Sequence, residues 1–223
     1  LADIMGDIPY SVDDDVAAVQ VYGYLPYASR RNNLQLLLMA IGGAVRNAAN
    51  GSLRITSLSE TVAGTFGLDR VFEGGVLVDK IPATAVQVTE HNYFETIEEV
   101  VLFDGISLST ETIIFNEPIH SLTITGGAIA TSGVNYCTFT GTGTVLLKGK
   151  KYQHVTRVIT EGITPTGSPD DVVRSVMENT LLTPNNAAEV AERLYDYLTV
   201  SQSVKAEVLF GTERPGDVVS VAH

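Results

Sequence analysis

At 223 residues the chain can build one large or two small hydrophobic cores, and its apolar fraction of 44% is ordinary for a globular protein. Its formal net charge of −12, with 14 Lys and Arg against 26 Asp and Glu, argues against a nucleic-acid partner and against docking on an anionic membrane. The longest apolar run, residues 34–45 broken by Gln35, falls short of the ~20 residues that span a bilayer.

No signal peptide is visible, and Cys137 is the single cysteine, so no internal disulfide can form and a cytoplasmic folding compartment fits. The chain opens at Leu1 and stops at His223 in what reads as mid-element, so a fragment of a longer protein is expected.

In chain order, residues 17–24 are expected as a strand. Ser29 then suits a helix N-cap, its hydroxyl accepting from an orphan backbone N–H. Leu34, Leu37, Leu38, Ile41, Ala44 and Val45 fall on one face at helical spacing. Gly42 and Gly43 sit inside that helix at a cost of about 1 kcal/mol each relative to Ala, which suggests another backbone in close approach. Residues 47–51 supply a stop, and Leu53-Arg-Ile-Thr56 reads as the next strand, giving a β-α-β unit.

From Ile81 to Leu147 the chain has no Lys or Arg but seven acids: Glu90, Glu95, Glu98, Glu99, Asp104, Glu111 and Glu117. Thr, Ile, Val and Gly dominate here. Turn signals recur at Asp104-Gly105, Asn116-Glu-Pro118, Gly126-Gly127, Ser132-Gly133 and Gly141-Thr-Gly143. Short alternating strands at that spacing predict a sandwich or small barrel. The expected architecture is β-rich α+β: a discontinuous α+β main domain from 1–91 and 150–223, interrupted by an all-β insertion domain over 92–149.

Further along, Ser168-Pro169-Asp-Asp171 suits the first turn of a short helix. Asn186 lies three residues before Glu189, a capping-box spacing. Ala187, Ala191, Leu194 and Leu198 then share one helix face, with Val190 and Tyr197 beside it and Glu192, Arg193 and Asp196 on the polar side. Strand is expected over 204–210 and again from Val218, with a turn at 213–217 between them.

The chemistry-bearing residues form no catalytic pattern. Gly141 to Lys150 has the wrong spacing for a phosphate loop, and Lys151 stands where Ser or Thr is needed. Gly42-Gly43 does not follow a strand as a dinucleotide fingerprint requires. His91, His120, His154 and His223 are scattered, with only Glu90 and Glu95 loosely near His91, so no metal site is assigned. Asp13-Asp14-Asp15 lacks the alternation and distal Glu of a Ca²⁺ loop.

Cys137 lies in an alternating strand, where a buried thiol is expected rather than a nucleophile. Glu98 and Glu99, as neighbours on a strand, point to opposite faces and make a poor glycosidase pair. Asn50-Gly51-Ser52 serves better as a turn than as a glycosylation site. No catalytic, cofactor or metal residue is therefore assigned.

Tyr10, Tyr22, Tyr24 and Tyr27 cluster beside Arg30 and Arg31. Tyr and Arg are favoured at protein–protein interfaces, so Tyr22, Tyr24, Tyr27, Arg30 and Arg31 are candidate interface residues. A half-buried strand whose even-numbered side chains cover the core stays open as the other reading.

Four patches together resemble the baseplate or tail-tip hub proteins of phage tails and phage-derived injection systems. They are Tyr24-Leu-Pro26 through Ser29-Arg-Arg31 to Val45; Leu53-Arg-Ile55; Lys150-Lys-Tyr-Gln-His154; and Asn186-Ala-Ala-Glu-Val-Ala-Glu-Arg-Leu194 with Arg214-Pro-Gly-Asp-Val218. Asn32-Asn33 stands where the family commonly has Ala or Glu. The resemblance implies a non-enzymatic structural role in a virion tail, for a protein made in the bacterial cytoplasm. It also implies a homotrimer of the full-length protein in contact with other tail proteins, without nucleic acid or membrane insertion. The alternative class is a carbohydrate- or cell-surface-binding module acting through the β insertion, whose only large aromatic platforms of that kind are Tyr93 and Tyr136.

Overall fold

The computed structural model describes residues 1–47, 51–57, 62–67, 69–72, 76–209, 211–213 and 217–221. In chain order the elements are α1 (Ala2–Met5), β1 (Tyr10–Val12), α2 (Asp14–Ala17), α3 (Arg30–Ile41), β2 (Gly43–Asn47), β3 (Leu53–Ser57), β4 (Val62–Phe66) and β5 (Val76–Asp79). There follow β6 (Ala85–Ser107), β7 (Thr110–Ile114), β8 (Ile119–Gly133), β9 (Tyr136–Gly162), β10 (Val173–Val176), α4 (Ala187–Leu198), β11 (Gln202–Lys205) and β12 (Val218–Val221). The protein is β-rich and built on several sheets.

The largest sheet has the order β10-β6-β9-β7, with β8 also paired to β9. β6 and β9 run antiparallel as a ribbon from Ala85↔Gly162 to Ser107↔Gly143. β8 lies along β9 from Ile119↔Lys151 to Gly133↔Tyr136, and β7 pairs β9 over Tyr136 to Thr140. A wide register shift between Glu95 and Glu99 leaves Thr96, Ile97 and Glu98 outside the β6–β9 pairing. Thr96 is bonded there through its hydroxyl to the Lys151 carbonyl, at 2.7 Å.

One core lies on either side of that bulge. Toward the chain ends, α4 packs on β6 and β9 and α3 packs against α4: Ala40, Val86, Val88, Leu181, Leu182, Ala187, Val190 and Ala191 are buried together, with Leu37, Leu194 and Leu198 against them. Beyond the bulge, Phe115, Ile119, Cys137, Phe139, Val145 and Leu147 form the second core. The Cys137 thiol is fully buried, as its alternating context predicts, and burial pushes its pKa up. The expected boundaries at 91/92 and 149/150 fall within the continuous strands β6 and β9.

The expected short strands merge into longer ones. Asp104-Gly105 and Gly141-Thr-Gly143 lie inside β6 and β9, and Gly126-Gly127 marks a register shift within β8 rather than a turn. Glycine serves a bulge or bend in a strand as readily as it serves a turn.

Around α3 the chain differs from expectation in three ways. Residues 18–29 are irregular, and the strand preceding α3 is β1, which pairs parallel with β3 at Tyr10↔Leu53. Ser29 does cap α3, its hydroxyl accepting from the Asn32 N–H at 3.2 Å. The helix ends at Ile41 rather than at Val45, because Gly42 takes a left-handed cap conformation (φ 67°) and Gly43 begins β2.

At α4 the apolar face forms as expected, but Tyr197 is 70% exposed. Asn186 makes no side-chain cap. Its carboxamide accepts from the Thr183 N–H at 2.8 Å and donates to the Leu181 carbonyl at 3.0 Å, fastening the preceding loop instead. Residues 168–171 form a turn, not a helix: one Asp171 carboxylate oxygen accepts from the backbone N–H groups of Thr166, Gly167 and Ser168.

Val218 does re-enter strand, and Val208 makes an isolated bridge to Val71. Asn50, Phe210, residues 214–216 and His223 lie outside the described residues. No described helix is long and apolar enough to cross a membrane.

Candidate functional site

The irregular segment 18–29 forms a strap that packs Val21 and Leu25 against the first core and reaches Asn135 and Tyr136 with Tyr27. Gly23 adopts φ 100°, and a Cβ there would run into the Thr180 carbonyl, so only glycine fits this close approach. The Thr180 hydroxyl donates to the Tyr24 carbonyl at 2.5 Å. The Tyr24 ring meets Tyr93 of β6 edge-on, with centroids 5.5 Å apart. Further along, the Tyr27 N–H donates to Asn135 Oδ1 at 2.9 Å, and its ring lies 4.8 Å from Tyr136, at the turn between β8 and β9.

The candidate interface residues therefore separate into three groups. Tyr22 and Tyr24 line one cleft with His91 and Tyr93, while Tyr27 is tied to Asn135 and Tyr136. Tyr22 and Tyr27 each keep 51% of their surface exposed. Arg30 and Arg31 begin α3, exposed and outside the cleft wall. Tyr93 and Tyr136, the two aromatics a sugar platform in the β region would need, are both engaged by other rings.

The cleft is built by the pleat. Tyr93 and His154 are directly paired across β6 and β9, and His91 and Tyr152 lie two residues along the same face. His154 stacks on Tyr93 at 4.5 Å and 14°, and Tyr152 stands at 78° to Tyr93. His120 of β8 closes against Tyr152 at 4.7 Å.

Hydrogen bonding fixes the tautomers. His91 Nε2 lies 3.0 Å from the Met177 carbonyl, which can only accept, so Nε2 carries the proton. Neutral His91 then accepts at Nδ1, and His154 Nε2–H donates to it across 2.9 Å. A proton added at His91 Nδ1 turns that nitrogen from acceptor into donor, so the bond can persist only with the direction reversed.

Burial, reinforced by the charge of His154 and opposed by the Met177 bond, moves the His91 pKa down from 6.5. Burial raises the phenols of Tyr24, Tyr93 and Tyr152, with the Tyr24 charge adding at Tyr93 and Glu95 adding at Tyr152. These four groups are uncharged at neutral pH.

Two cavities, of about 450 and about 700 Å³, share the wall made by Tyr24, His91, Tyr93, Pro118 and Tyr152. The larger adds Glu117 and Glu178, and among the described residues no Lys or Arg lines either. Among the described residues no group of three His, Cys, Asp or Glu could hold a metal ion.

The other sequence candidates have local roles. Asp13 receives two bonds from the Arg54 guanidinium, at 2.7 and 2.9 Å, and this bond holds its carboxyl below the usual range. Asp15 accepts from the Ser57 hydroxyl. Glu98 pairs with Lys151 at 3.0 Å, and Glu99 with Lys148 at 2.6 Å.

Sequence reasoning missed the His91–His154 cluster. Its signal was the i, i+2 aromatic spacing in both His91-Asn-Tyr93 and Tyr152-Gln-His154. Comparison with protein-family models, curated proteins and solved structures gives no match for this chain.

Proposed function

We propose that the chain is a structural assembly protein of a bacteriophage or prophage-like tail, a baseplate or tail-tip hub component with no catalytic role. In this reading 1–91 and 150–223 form a discontinuous α+β main domain, and 92–149 is an all-β insertion carried on the ribbon of β6 and β9.

The supporting observation is that described parts of the first, third and last patches behind the hub resemblance meet although they are far apart in sequence. Helix α3, from the first patch, packs with α4, from the last, over β6. Asn179, just ahead of α4, donates to the Leu36 carbonyl of α3 at 3.0 Å. Tyr24 of the first patch meets Tyr93, which in turn is covered by His154 of the third. An arrangement that joins both chain ends around a projecting β element suits a ring component presenting that element outward.

The reading requires self-association into a closed ring, a homotrimer, of the full-length protein. Light scattering across protein concentration and ionic strength is the test. A trimer supports the hub assignment, and a monomer under every condition counts against it.

A further inference from the structure

We propose that the cleft between the 22–27 strap, the 116–118 loop and the 177–185 loop binds an organic cation, such as a quaternary ammonium group or a basic side chain. Three tyrosines supply the recognition. Tyr24 and Tyr152 stand at 69° and 78° to Tyr93, with centroids 5.5 and 6.4 Å from it, so steeply inclined rings wall one space. Aromatic faces carry negative electrostatic potential and attract cations.

The charges around the rings favour the same ligand. Glu117 and Glu178 line the larger cavity, and among the described residues neither cavity is lined by Lys or Arg. Lys151 feels the charge of Glu117, but its ammonium is held by Glu98 at 3.0 Å and lies outside the cavity wall. A chain of net charge −12 also draws cations toward it from solution. An anion would meet two carboxylates.

The test is an NMR titration of the full chain with choline and, in parallel, with its uncharged carbon isostere 3,3-dimethylbutan-1-ol. Choline is expected to shift the Tyr93 and Tyr152 ring signals saturably, with the isostere at least about threefold weaker. Tyr152→Leu should weaken choline by a similar factor. Because that change also removes the packing of His120, Glu178→Gln at an exposed position provides a second variant, again expected to weaken choline but not the isostere.

A third titration, with N-acetyl-arginine amide, separates the sources. Tighter choline binding assigns a small quaternary ammonium ligand, and tighter arginine binding assigns a basic side chain of a protein partner. Equal binding of choline and the isostere, no saturable shift with any cation, or choline binding unchanged in Glu178→Gln would overturn the proposal.

Discussion

Arg193 and Ala40 lie 153 residues apart in sequence, yet the Arg193 guanidinium donates to the Ala40 carbonyl at 3.3 Å and to the neighbouring Met39 carbonyl at 3.2 Å. These carbonyls belong to the last turn of α3, where a helix leaves acceptors without partners and presents the negative end of its dipole. Glu189 holds the same guanidinium from within α4 at 2.7 Å. Gly42 completes the arrangement: a Cβ on it would lie 2.9 Å from the guanidinium.

Arg193→Ala should therefore lower stability by about 1–2 kcal/mol, the sum of two modest hydrogen bonds and a favourable dipole contact. A side chain that merely faced solvent, as its place on the polar side of α4 predicts, would cost under about 0.5 kcal/mol. Gly42→Ala should cost at least about 1 kcal/mol from the left-handed backbone alone. Urea titration measures both, and an Arg193→Ala loss below the solvent-facing value would show that the contact contributes nothing.

This contact shows which parts of the fold the sequence carried. Both long helices were legible because Leu34 to Ile41 and Ala187 to Leu198 repeat at helical spacing, and Ser29 marks a start by local chemistry alone. Gly42 was legible as a special position but not as an end, since the apolar pattern continues through Ala44 and Val45 into β2. Asn186 had the spacing of a cap, but the loop ahead of it needed its carboxamide more. In the β region the glycines gave the same local signal for bends inside β6 and β9 as for turns. The Tyr–His cleft depends on the register that pairs Tyr93 with His154, and one strand's pattern does not specify a partner 61 residues away.

Core truncations should separate the two clusters by size of effect. Leu182 is fully buried among Val86, Val88 and Val190, so Leu182→Ala should cost about 2–5 kcal/mol. Phe139, fully buried beyond the bulge, should cost about 3–5 kcal/mol on truncation to Ala. Leu37 and Leu194 are only partly buried against the first core and should lie at or below the bottom of these ranges. Equal losses at Leu194 and Leu182 in denaturant titrations would mean the burial order is wrong.

The bulge at 96–98 gives a place to divide the ribbon. Glu95 is paired with Tyr152, so replacing 96–151 by an Asn-Gly turn should close β6 and β9 as a two-residue hairpin. The shortened protein keeps every buried residue of the first core. A dispersed NMR spectrum and a cooperative thermal transition are expected. A molten product without such a transition would show that the first core depends on the β region, through contacts such as Tyr27 with Tyr136.

The pH dependence follows from His91. It is only 7% exposed, and burial lowers its folded-state pKa below the ordinary value of 6.5. In the interval between those two values the unfolded chain binds more protons than the folded one, so stability rises with pH there. The stability associated with neutral His91 is thus present above 6.5, falls as pH drops toward the lowered folded value, and levels off below it. A proton on His91 Nδ1 would also reverse the 2.9 Å bond, making His154 Nε2 the acceptor and requiring its other tautomer. His91→Gln can still donate to the Met177 carbonyl but does not titrate. Urea titrations between about pH 8 and about pH 5 should therefore show a smaller loss of stability for the variant than for the parent chain. Parallel curves for the two proteins would show that His91 takes no part in the acid response.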